Sequence, residues 1–467
     1  MAGTPAGGVG RKSDTWGSRF GFIMAAVGSS VGLGNFWRFP YTAGENGGGA
    51  FIIIYLICVV VIGLPVLMGE YSLGRKAGMS SVEGIQTLAR DAGKSENWGI
   101  IGWVGVFAST FIVSFYMVIS AWILAFVIQA IGGSFAGITP AESGENFSQT
   151  INNRGTIMGL LFVFLLANAI IVGRGVKGGI EKAASILMPA FFIMLLGIVA
   201  FAITTGDLKQ TVSFLLTPDW KAVNFSTFLA ALGQACFSLS VGSVLMMTYG
   251  SYLSRDTNIP RSSFIVAGAD TMVAIIAGFA IFPIVFQAGL DPAGGPGLFF
   301  VSLPVAFGSI PGGNILAMVF FSLALFAAFT SSISLYEVSV SWLEERHGVH
   351  RMGASMGMAF ILFVVGVAYV YSGDYLDFVD FLTGNILLPL GALFIAIFIG
   401  WVLPKLDLLE EIEDKKLHAI WYGSLRYFVP VFVGIILFFG IFDGLQDTFG
   451  VQMPSFLEGF IGPNKAI

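Results

Sequence analysis

Charged residues are scarce in this sequence. Only 11% of its 467 residues are Asp, Glu, Lys or Arg, whereas 56% are hydrophobic. A soluble domain carries about a quarter charged residues, so the composition excludes an ordinary soluble protein. Apolar stretches of roughly 20 residues, the length that crosses a bilayer, recur along the chain. The sequence therefore predicts an all-α membrane protein that resides in the lipid bilayer and has no nucleic-acid partner.

Residues that build disulfides, metal centres and nucleophilic sites are also scarce. The two cysteines, Cys58 and Cys236, lie inside apolar stretches, which argues against a disulfide framework. The three histidines fall in polar loops, and the sequence contains no metal-ligand cluster, nucleophile elbow or phosphate-binding loop. Residues 1–15 are polar and glycine-rich, so we do not expect a cleavable signal peptide. These features predict a membrane protein that is not an enzyme.

Eleven apolar segments are long enough to span a membrane. They cover residues 18–41, 49–74, 100–131, 155–173, 183–205, 225–252, 262–288, 314–343, 353–371, 376–403 and 421–442. The sequence after Asp443 is too polar and too short for a twelfth span. We therefore expect residues 1–467 to form a single transmembrane domain with no soluble module.

Lys and Arg are distributed unevenly between the loops. Most of the 23 basic residues lie before the first span or in every second loop after it, including Lys405, Lys415, Lys416 and Arg426 before the last span. Because positively charged loops stay inside the cell, residues 1–15 are predicted to be a cytoplasmic tail. An odd number of spans then places the C-terminus outside a multi-pass protein of the plasma membrane.

Two spans contain small and polar residues at their centres. Span one reads Gly28-Ser-Ser-Val-Gly-Leu-Gly-Asn35, and span six reads Ser238-Leu-Ser-Val-Gly-Ser243. Such residues weaken a helix where lipid cannot satisfy free backbone groups, so each break must line a protected cavity. Free carbonyls there can bind a cation, and the next half-helix can bind an anion. Breaks five spans apart indicate a 5+5 inverted repeat in which helices 1 and 6 are discontinuous. The first repeat covers about 16–205 and the second about 225–403, and an extra helix follows at about 421–442.

The residues around these breaks resemble a known family. They are Trp16, the run Gly32-Leu-Gly-Asn-Phe-Trp-Arg-Phe-Pro-Tyr41, the run Glu45-Asn-Gly-Gly-Gly49, Gln234, the run Phe237-Ser-Leu-Ser240 and Thr330-Ser-Ser332. In this order they resemble the neurotransmitter:sodium symporter family, above all its bacterial amino-acid transporters with a leucine-transporter-like fold and eleven spans. The resemblance extends from about Trp16 to Pro404. It implies sodium-coupled import of an amino acid by alternating access.

The resemblance implies two sodium sites built from oxygen atoms, the ligands that a hard cation prefers. One site would combine the carbonyl oxygens of Gly28, Val31 and Ala327 with the hydroxyls of Thr330 and Ser331. The other would combine the Ser30 carbonyl, the Asn35 side chain, Ser238 and Asp270 with the carboxylate of the substrate. Without the resemblance, Thr330-Ser331-Ser332 would be interpreted as residues that only bond back to their own helix.

Asp270 lies within a span, where a bare carboxylate costs at least a few kcal/mol and marks a functional site. The alternative is a protonated acid that only packs between helices. Many animal relatives carry Asn at this position and use chloride nearby. The matching shell here would be Tyr55, Gln234, Ser238, Asp270 and Ala274. Because the Asp270 carboxylate supplies the negative charge, we expect no requirement for chloride. After sodium release this carboxylate is poorly solvated, which predicts its protonation and therefore proton counter-transport.

The resemblance also implies a substrate site between the breaks. An α-carboxylate would meet amides near Leu33 and Gly34, at the positive start of a half-helix, and the Tyr116 hydroxyl. Gly32 leaves room for this carboxylate where monoamine carriers have Asp, which favours neutral, hydrophobic L-amino acids. The amine would meet carbonyls near Ser30, Phe237 and Ser240. The side-chain pocket would involve Ile112, Phe237, Ser240, Ser243, Ser332 and Leu335, although Val244 narrows the region that Ser243 widens.

Residues near the ends of the spans match the gates of the family. Arg38 and Asp380 match the extracellular ion pair, with Phe237 as a lid, although each alone also fits a charge that snorkels to the interface. Trp16, Tyr252 and Glu345 match the cytoplasmic gate. The arginine of that gate is replaced by Ser13, which leaves open whether Arg11 or Lys12 substitutes for it.

Span five and the run after span seven each allow two structural interpretations. Gly179 and Pro189 resemble a family motif that lets span five unwind inward, but they also fit a plain proline kink. The run from Pro296 to Phe307 is too short to span and fits either a lid hairpin or a mobile loop.

A channel or sensor gated by amino acids on the same scaffold is the alternative function. A channel needs a continuous polar pore, whereas this sequence has two isolated breaks with bulky gates. The sequence contains no signal for the oligomeric state.

Overall fold

The computed structural model describes residues 14–292, 297–412 and 414–449, with side chains described as far as residue 442. The helices are α1 (Arg19–Ser30), α2 (Gly34–Glu45), α3 (Gly49–Ala77), α4 (Ser81–Asp91), α5 (Glu96–Ile131), α6 (Pro140–Asn152), α7 (Arg154–Gly173), α8 (Val176–Thr205), α9 (Leu208–Leu216), α10 (Phe225–Ser238), α11 (Leu245–Gly250), α12 (Ile259–Gln287), α13 (Leu298–Gly308), α14 (Gly313–His347), α15 (Arg351–Tyr371), α16 (Gly373–Val402) and α17 (Lys415–Phe442, continuing to residue 449).

By length and composition, nine helices of the described residues can each cross a membrane, and α1 with α2, bent by 47° at their break, provides a tenth span. The predicted span at 225–252 is divided into α10 and α11, and neither is long enough alone. The structure therefore confirms an all-helical membrane architecture. The count of eleven spans and the limits of the two repeats stay predictions.

Helix α17 begins earlier than the hydrophobic pattern predicts, at Lys415 instead of residue 421. The Asp414 carboxylate accepts hydrogen bonds from the amides of Lys416 (2.8 Å) and Leu417 (3.1 Å), so a polar N-cap starts the helix before its apolar part. Arg426, which the distribution of basic residues groups with the preceding loop, lies within this helix and also within the predicted span at 421–442.

The packing of the helices encloses both breaks. Helix α1 contacts α8, α12 and α14, while α10 and α11 both pack on α3. Helix α14 lies along α5, and α15 lies along α7, which provides a scaffold beside the broken helices. The backbone groups released at the breaks therefore face protein and not lipid, as the membrane environment requires.

The segment that the sequence leaves open as a hairpin or a loop contains the short helix α13. Its Phe300 stacks on Phe147 of α6 with ring centroids 5.0 Å apart and also contacts Trp37 and Trp122. Pro296, where the predicted segment begins, lies outside the described residues.

Candidate ion and substrate site

The first break separates α1 from α2 at Val31, whose backbone is extended (φ −72°, ψ 102°). The Asn35 side-chain oxygen accepts a hydrogen bond from the Gly32 amide at 2.9 Å, which satisfies one group released by the break. A Cβ atom on Gly32 would lie 2.7 Å from Ser331 Oγ and 2.8 Å from the Tyr116 hydroxyl. Only glycine therefore allows α5 and α14 to approach the break this closely.

The second break, between α10 and α11, requires three residues with left-handed backbone. Ser240, Gly242 and Val244 have φ angles of 53°, 89° and 51°. Gly242 also packs directly on the backbone of Leu388, where a side chain would overlap. A β-branched residue rarely adopts positive φ, so Val244 is held in place by the surrounding structure.

Glu70 of α3 holds the second break together. Its fully buried carboxylate accepts hydrogen bonds from the amides of Gly242 (2.7 Å), Met246 (3.1 Å) and Met247 (3.3 Å). These amides belong to the turn and to the start of α11, where a helix leaves its first N–H groups without partners. Glu70 was not among the predicted site residues, although an acid inside an apolar span is the same feature that indicates Asp270.

The five oxygen ligands predicted for one sodium site lie where α1 and α14 meet. Ser331 Oγ is 3.2 Å from the Gly28 carbonyl oxygen and 3.3 Å from that of Val31. Thr330 Oγ1 lies 3.1 Å from the Ala327 carbonyl oxygen. A Cβ on Gly28 would lie 3.0 Å from Thr330 Cβ, so the two groups of oxygens adjoin. Their neutral oxygen chemistry fits sodium.

The side chains predicted for the other sodium site form a buried hydrogen-bonded cluster. The Asn35 amide donates to Asp270 Oδ1 (2.9 Å) and approaches Ser238 Oγ (3.3 Å), while Ser238 Oγ donates to Asp270 Oδ2 (2.6 Å). All three residues are buried. The cluster joins the first break, α10 and α12 around one carboxylate.

Two further members of the predicted anion shell adjoin this cluster. The Tyr55 hydroxyl and Gln234 Oε1 are buried and have no hydrogen-bond partner in the part of the chain that the structure describes, while Gln234 Nε2 donates to the Gly34 carbonyl at 3.0 Å. Ala274 is also fully buried and presents only a methyl group. Asp270 is therefore the one member of the predicted anion shell whose side chain can carry a negative charge.

A cavity of about 30 Å³ lies between the breaks. Most residues predicted to bind substrate line it, namely Ser30, Leu33, Gly34, Ile112, Tyr116, Phe237, Ser238, Ser240 and Leu335. The Tyr116 hydroxyl accepts a hydrogen bond from the Leu33 amide at 3.1 Å, so the two groups predicted to hold a carboxylate are adjacent.

Three residues from the predicted pocket face elsewhere. Ser332 donates to Asn168 Oδ1 of α7 at 2.8 Å, and Ser243 donates to the Ser240 carbonyl at 2.6 Å. The Val244 side chain fills the space beside Gly105 of α5. None of the three lines the cavity, whereas Leu388 of α16 does. Nothing in the sequence distinguishes Leu388 from other apolar residues of its span.

The predicted outer gate is only partly assembled. The Arg38 guanidinium lies over the Phe237 ring, 4.7 Å from its centroid, so the charge and the lid are in contact. Asp380 lies within the electrostatic influence of Arg38. The two described side chains do not make a direct ion pair, and Arg38 instead lies over the ring.

At the predicted inner gate, the structure places Glu337, which was not predicted, against Tyr252. The Tyr252 hydroxyl donates to Glu337 Oε1 at 2.5 Å, whereas Glu345 Oε2 accepts from the Ser80 amide at 2.6 Å. Trp16 joins the gate through its indole N–H, which donates to the Tyr249 carbonyl at 3.1 Å. Glu337 lies two helical turns before Glu345 and therefore on the same side of α14.

A cation next to Glu337 is Arg351, at the start of α15. It pairs with Glu337 at 2.5 Å and with Glu344 at 3.0 Å, and its Nη1 lies 3.8 Å from Asp14. The resemblance predicts the cation of this gate before Trp16, where Arg11 or Lys12 would replace the arginine missing at Ser13. These three residues lie outside the described residues. Arg351 was missed because it begins a different helix from Glu337, so the sequence pattern does not show that the two side chains meet.

Gly179 lies in the wide first turn of α8, and Pro189 lies within the continuous helix. A Cβ on Gly179 would overlap the Ile171 carbonyl of α7. Close packing thus gives Gly179 a structural role, while inward unwinding of α8 stays a prediction.

Comparison with known proteins identifies the class. A sequence model of the sodium:neurotransmitter symporter family matches residues 13–139 and 141–457. The chain belongs to this family, whose members are sodium-dependent secondary transporters of the membrane and not enzymes.

Individual relatives cover nearly the whole chain. An uncharacterized sodium-dependent transporter of Bacillus subtilis is 35% identical over 91% of this chain and 97% of its own length. A sodium-dependent nutrient amino acid transporter of Drosophila melanogaster is 25% identical over 91% of this chain and 77% of its own. The chain is also similar to the crystal structure of MhsT in complex with L-phenylalanine, with 39% sequence identity and a TM-score of 0.85. The match covers 92% of this chain and 100% of the MhsT chain.

Proposed function

We propose that this protein imports neutral, hydrophobic L-amino acids together with sodium by alternating access. The observation that carries the proposal is the cavity between the two breaks. It combines the Leu33 amide and the Tyr116 hydroxyl, which suit a carboxylate, with the apolar side chains of Ile112, Phe237 and Leu335. The similarity to a transporter structure with bound L-phenylalanine supports this substrate class.

Two sodium ions fit the two oxygen clusters. The cluster at Thr330 and Ser331 is neutral, whereas the cluster around Asp270 contains a carboxylate. Sodium beside Asp270 offsets the charge, and its release leaves a buried carboxylate that gains stability from protonation. We infer a return step with Asp270 protonated, which yields proton counter-transport and no requirement for chloride.

Concentrative uptake into proteoliposomes tests the central proposal. With an inward sodium gradient, labelled L-phenylalanine or L-leucine is expected to accumulate above the external concentration, and replacing external sodium with choline or potassium should stop accumulation. A sensor would bind the amino acid without accumulating it, and a channel would only equilibrate it. A thermal-shift screen of the twenty amino acids, with and without sodium, then identifies the preferred substrate.

Tyr116→Phe is expected to weaken amino-acid binding by about 1.5–3 kcal/mol, the usual contribution of a hydrogen bond to a charged group. The hydroxyl lies beside the Leu33 amide in the cavity and would donate to the substrate carboxylate. Equilibrium binding of labelled amino acid in saturating sodium measures the change. Decarboxylated amines, which lack the carboxylate, should compete poorly with the wild type.

Tyr369→Phe provides the matched control, because its buried hydroxyl bonds to Ser114 at 2.9 Å in the scaffold. It should leave substrate affinity unchanged. Amines that bind as tightly as amino acids would contradict the assignment of a carboxylate site.

Asp270→Asn is expected to remove the effect of a proton gradient. In the wild type, acid inside the vesicle should speed sodium-driven uptake, because protonation of Asp270 completes the return step. Replacing chloride with gluconate should leave wild-type uptake unchanged, since Asp270 supplies the negative charge of this shell. Initial uptake rates at matched sodium gradients measure both effects.

In the Asn variant the proton effect should disappear. Chloride dependence is not expected to appear in full, because Ala274 lacks a hydroxyl for a complete anion shell. Wild-type uptake that requires chloride and ignores the proton gradient would show that Asp270 has a different role.

A further inference from the structure

Arg426 is a charged residue inside the last membrane-spanning helix, α17. The neighbouring side chains of Trp401, Tyr427 and Phe428 are 57%, 59% and 57% exposed, and in a membrane protein such apolar surface faces lipid. A guanidinium on the lipid-facing side of a span, even near its interfacial end, needs an anion or polar groups to compensate it. Its environment therefore needs an explanation that the transport cycle does not provide.

Aromatic rings hold this guanidinium in one place. Its Cζ lies 4.5 Å from the Trp401 ring centroid, 5.7 Å from that of Tyr427 and 5.9 Å from that of Tyr422. The Trp401 indole donates to the Arg426 carbonyl at 2.9 Å, and Arg426 Nη1 donates to the Tyr422 hydroxyl at 3.1 Å. A Cβ on Gly400 would lie 2.8 Å from Arg426 Cα, so α16 and α17 approach closely beneath the rings.

The side chains that the structure describes do not neutralise this charge. Among the described side chains, no carboxylate forms an ion pair with Arg426, and its buried Nε has no hydrogen-bond partner. The buried acid of the adjoining loop, Glu411, is already paired with Arg75 at 2.5 Å and with Arg255 at 2.9 Å. A second cation, Lys405 Nζ, lies 5.7 Å from the centroid of the same Tyr422 ring. Two positive charges thus converge on one aromatic surface.

We propose that Arg426 and Lys405, with Trp401, Tyr422 and Tyr427, bind the phosphate of an anionic phospholipid between α16 and α17. Arginine presents several N–H donors that match phosphate oxygens. Exposed tryptophan and tyrosine mark the interfacial level of a membrane, where lipid phosphates lie. Basic pockets between helices on the side rich in Lys and Arg suit such head groups.

Native mass spectrometry of the full-length protein tests the site. Mixed micelles contain detergent with either phosphatidylglycerol or phosphatidylcholine, and the retained lipid adducts are counted after detergent removal. The wild type is expected to retain phosphatidylglycerol preferentially. Arg426→Gln should retain about fivefold less of it, the loss expected for one basic residue at a lipid surface, while Arg426→Lys should fall between the two.

Arg154→Gln is the matched control, because Arg154 also stacks on one exposed ring, Tyr371, at 4.6 Å. It should retain as much phosphatidylglycerol as the wild type. Equal retention by the wild type and Arg426→Gln, or equal retention of both lipids by the wild type, would overturn the proposal. Displacement of the lipid adduct by inorganic phosphate would also overturn it, because the site would then bind phosphate without a lipid.

A second measurement applies if Arg426→Gln does not fold. Brominated phospholipids quench tryptophan fluorescence on contact, and Trp401 lies against the proposed phosphate position. Brominated phosphatidylglycerol should quench the wild type more than brominated phosphatidylcholine does, and Trp401→Phe should remove the difference. A difference that persists in Trp401→Phe would place the lipid elsewhere.

Discussion

Sodium-driven uptake is expected to fall at least about 100-fold when Thr330 and Ser331 are both replaced by alanine. Each hydroxyl is a proposed ligand of a charged ion, and such a contact contributes about 1.5–3 kcal/mol, so the two together approach or exceed a hundredfold change in affinity. The backbone oxygens of Gly28, Val31 and Ala327 remain in the variant, but they cannot replace the two side-chain ligands. Uptake at increasing sodium concentrations, with protein amount matched, measures the loss.

Ser341→Ala is the control in the same helix, because the bond that its hydroxyl makes within the described structure is to the nearby Val338 carbonyl at 3.2 Å. It removes a buried hydroxyl from α14 without touching the oxygen cluster, so transport should be retained. Normal sodium dependence in Thr330→Ala/Ser331→Ala would show that this cluster is not a sodium site. Loss of sodium-dependent thermal stabilisation in the same variant would connect the defect to ion binding.

The sequence predicted the features that depend on local composition. Glycine and serine in otherwise apolar spans located both breaks within a residue or two, since residues such as Gly32 and Gly242 tolerate backbone that other residues do not. Asp270 was found because a carboxylate in a membrane span is rare. The resemblance then supplied most residues that the structure brings to the cavity.

Features that depend on contacts between distant helices could not be predicted in the same way. The pairing of Arg351 with Glu337 joins two helices, and an ordinary surface charge gives the same local pattern. Ser332 belongs to the matching run Thr330-Ser-Ser332, yet helical periodicity turns it toward Asn168 and away from the cavity. Leu388 enters the lining only because α16 packs against the second break.

Glu70 illustrates how one buried acid can organise a broken helix. Both of its oxygens act as acceptors: Oε1 receives the Gly242 amide, and Oε2 receives those of Met246 and Met247. The negative charge also lies at the N-terminal end of α11, where the helix dipole stabilises it. No other described side chain donates to these oxygens, so the carboxylate is used entirely by the backbone of the second break.

Glu70→Gln is therefore expected to reduce transport as strongly as removal of the ion ligands. Glutamine keeps the size of the side chain but has one acceptor oxygen, so its NH₂ group must face a backbone amide in either orientation. The lost charge-assisted bonds and the unpaired donors should cost several kcal/mol, which lowers thermal stability and amino-acid binding together. Glu83→Gln is the matched control for the loss of a buried acid, because Glu83 in α4 accepts from the Ser80 hydroxyl and, among the described contacts, from no amide of either break. If Glu70→Gln bound amino acid and sodium with wild-type affinity, the second break would be held by its own backbone, and Glu70 would only fill space between α3 and α11.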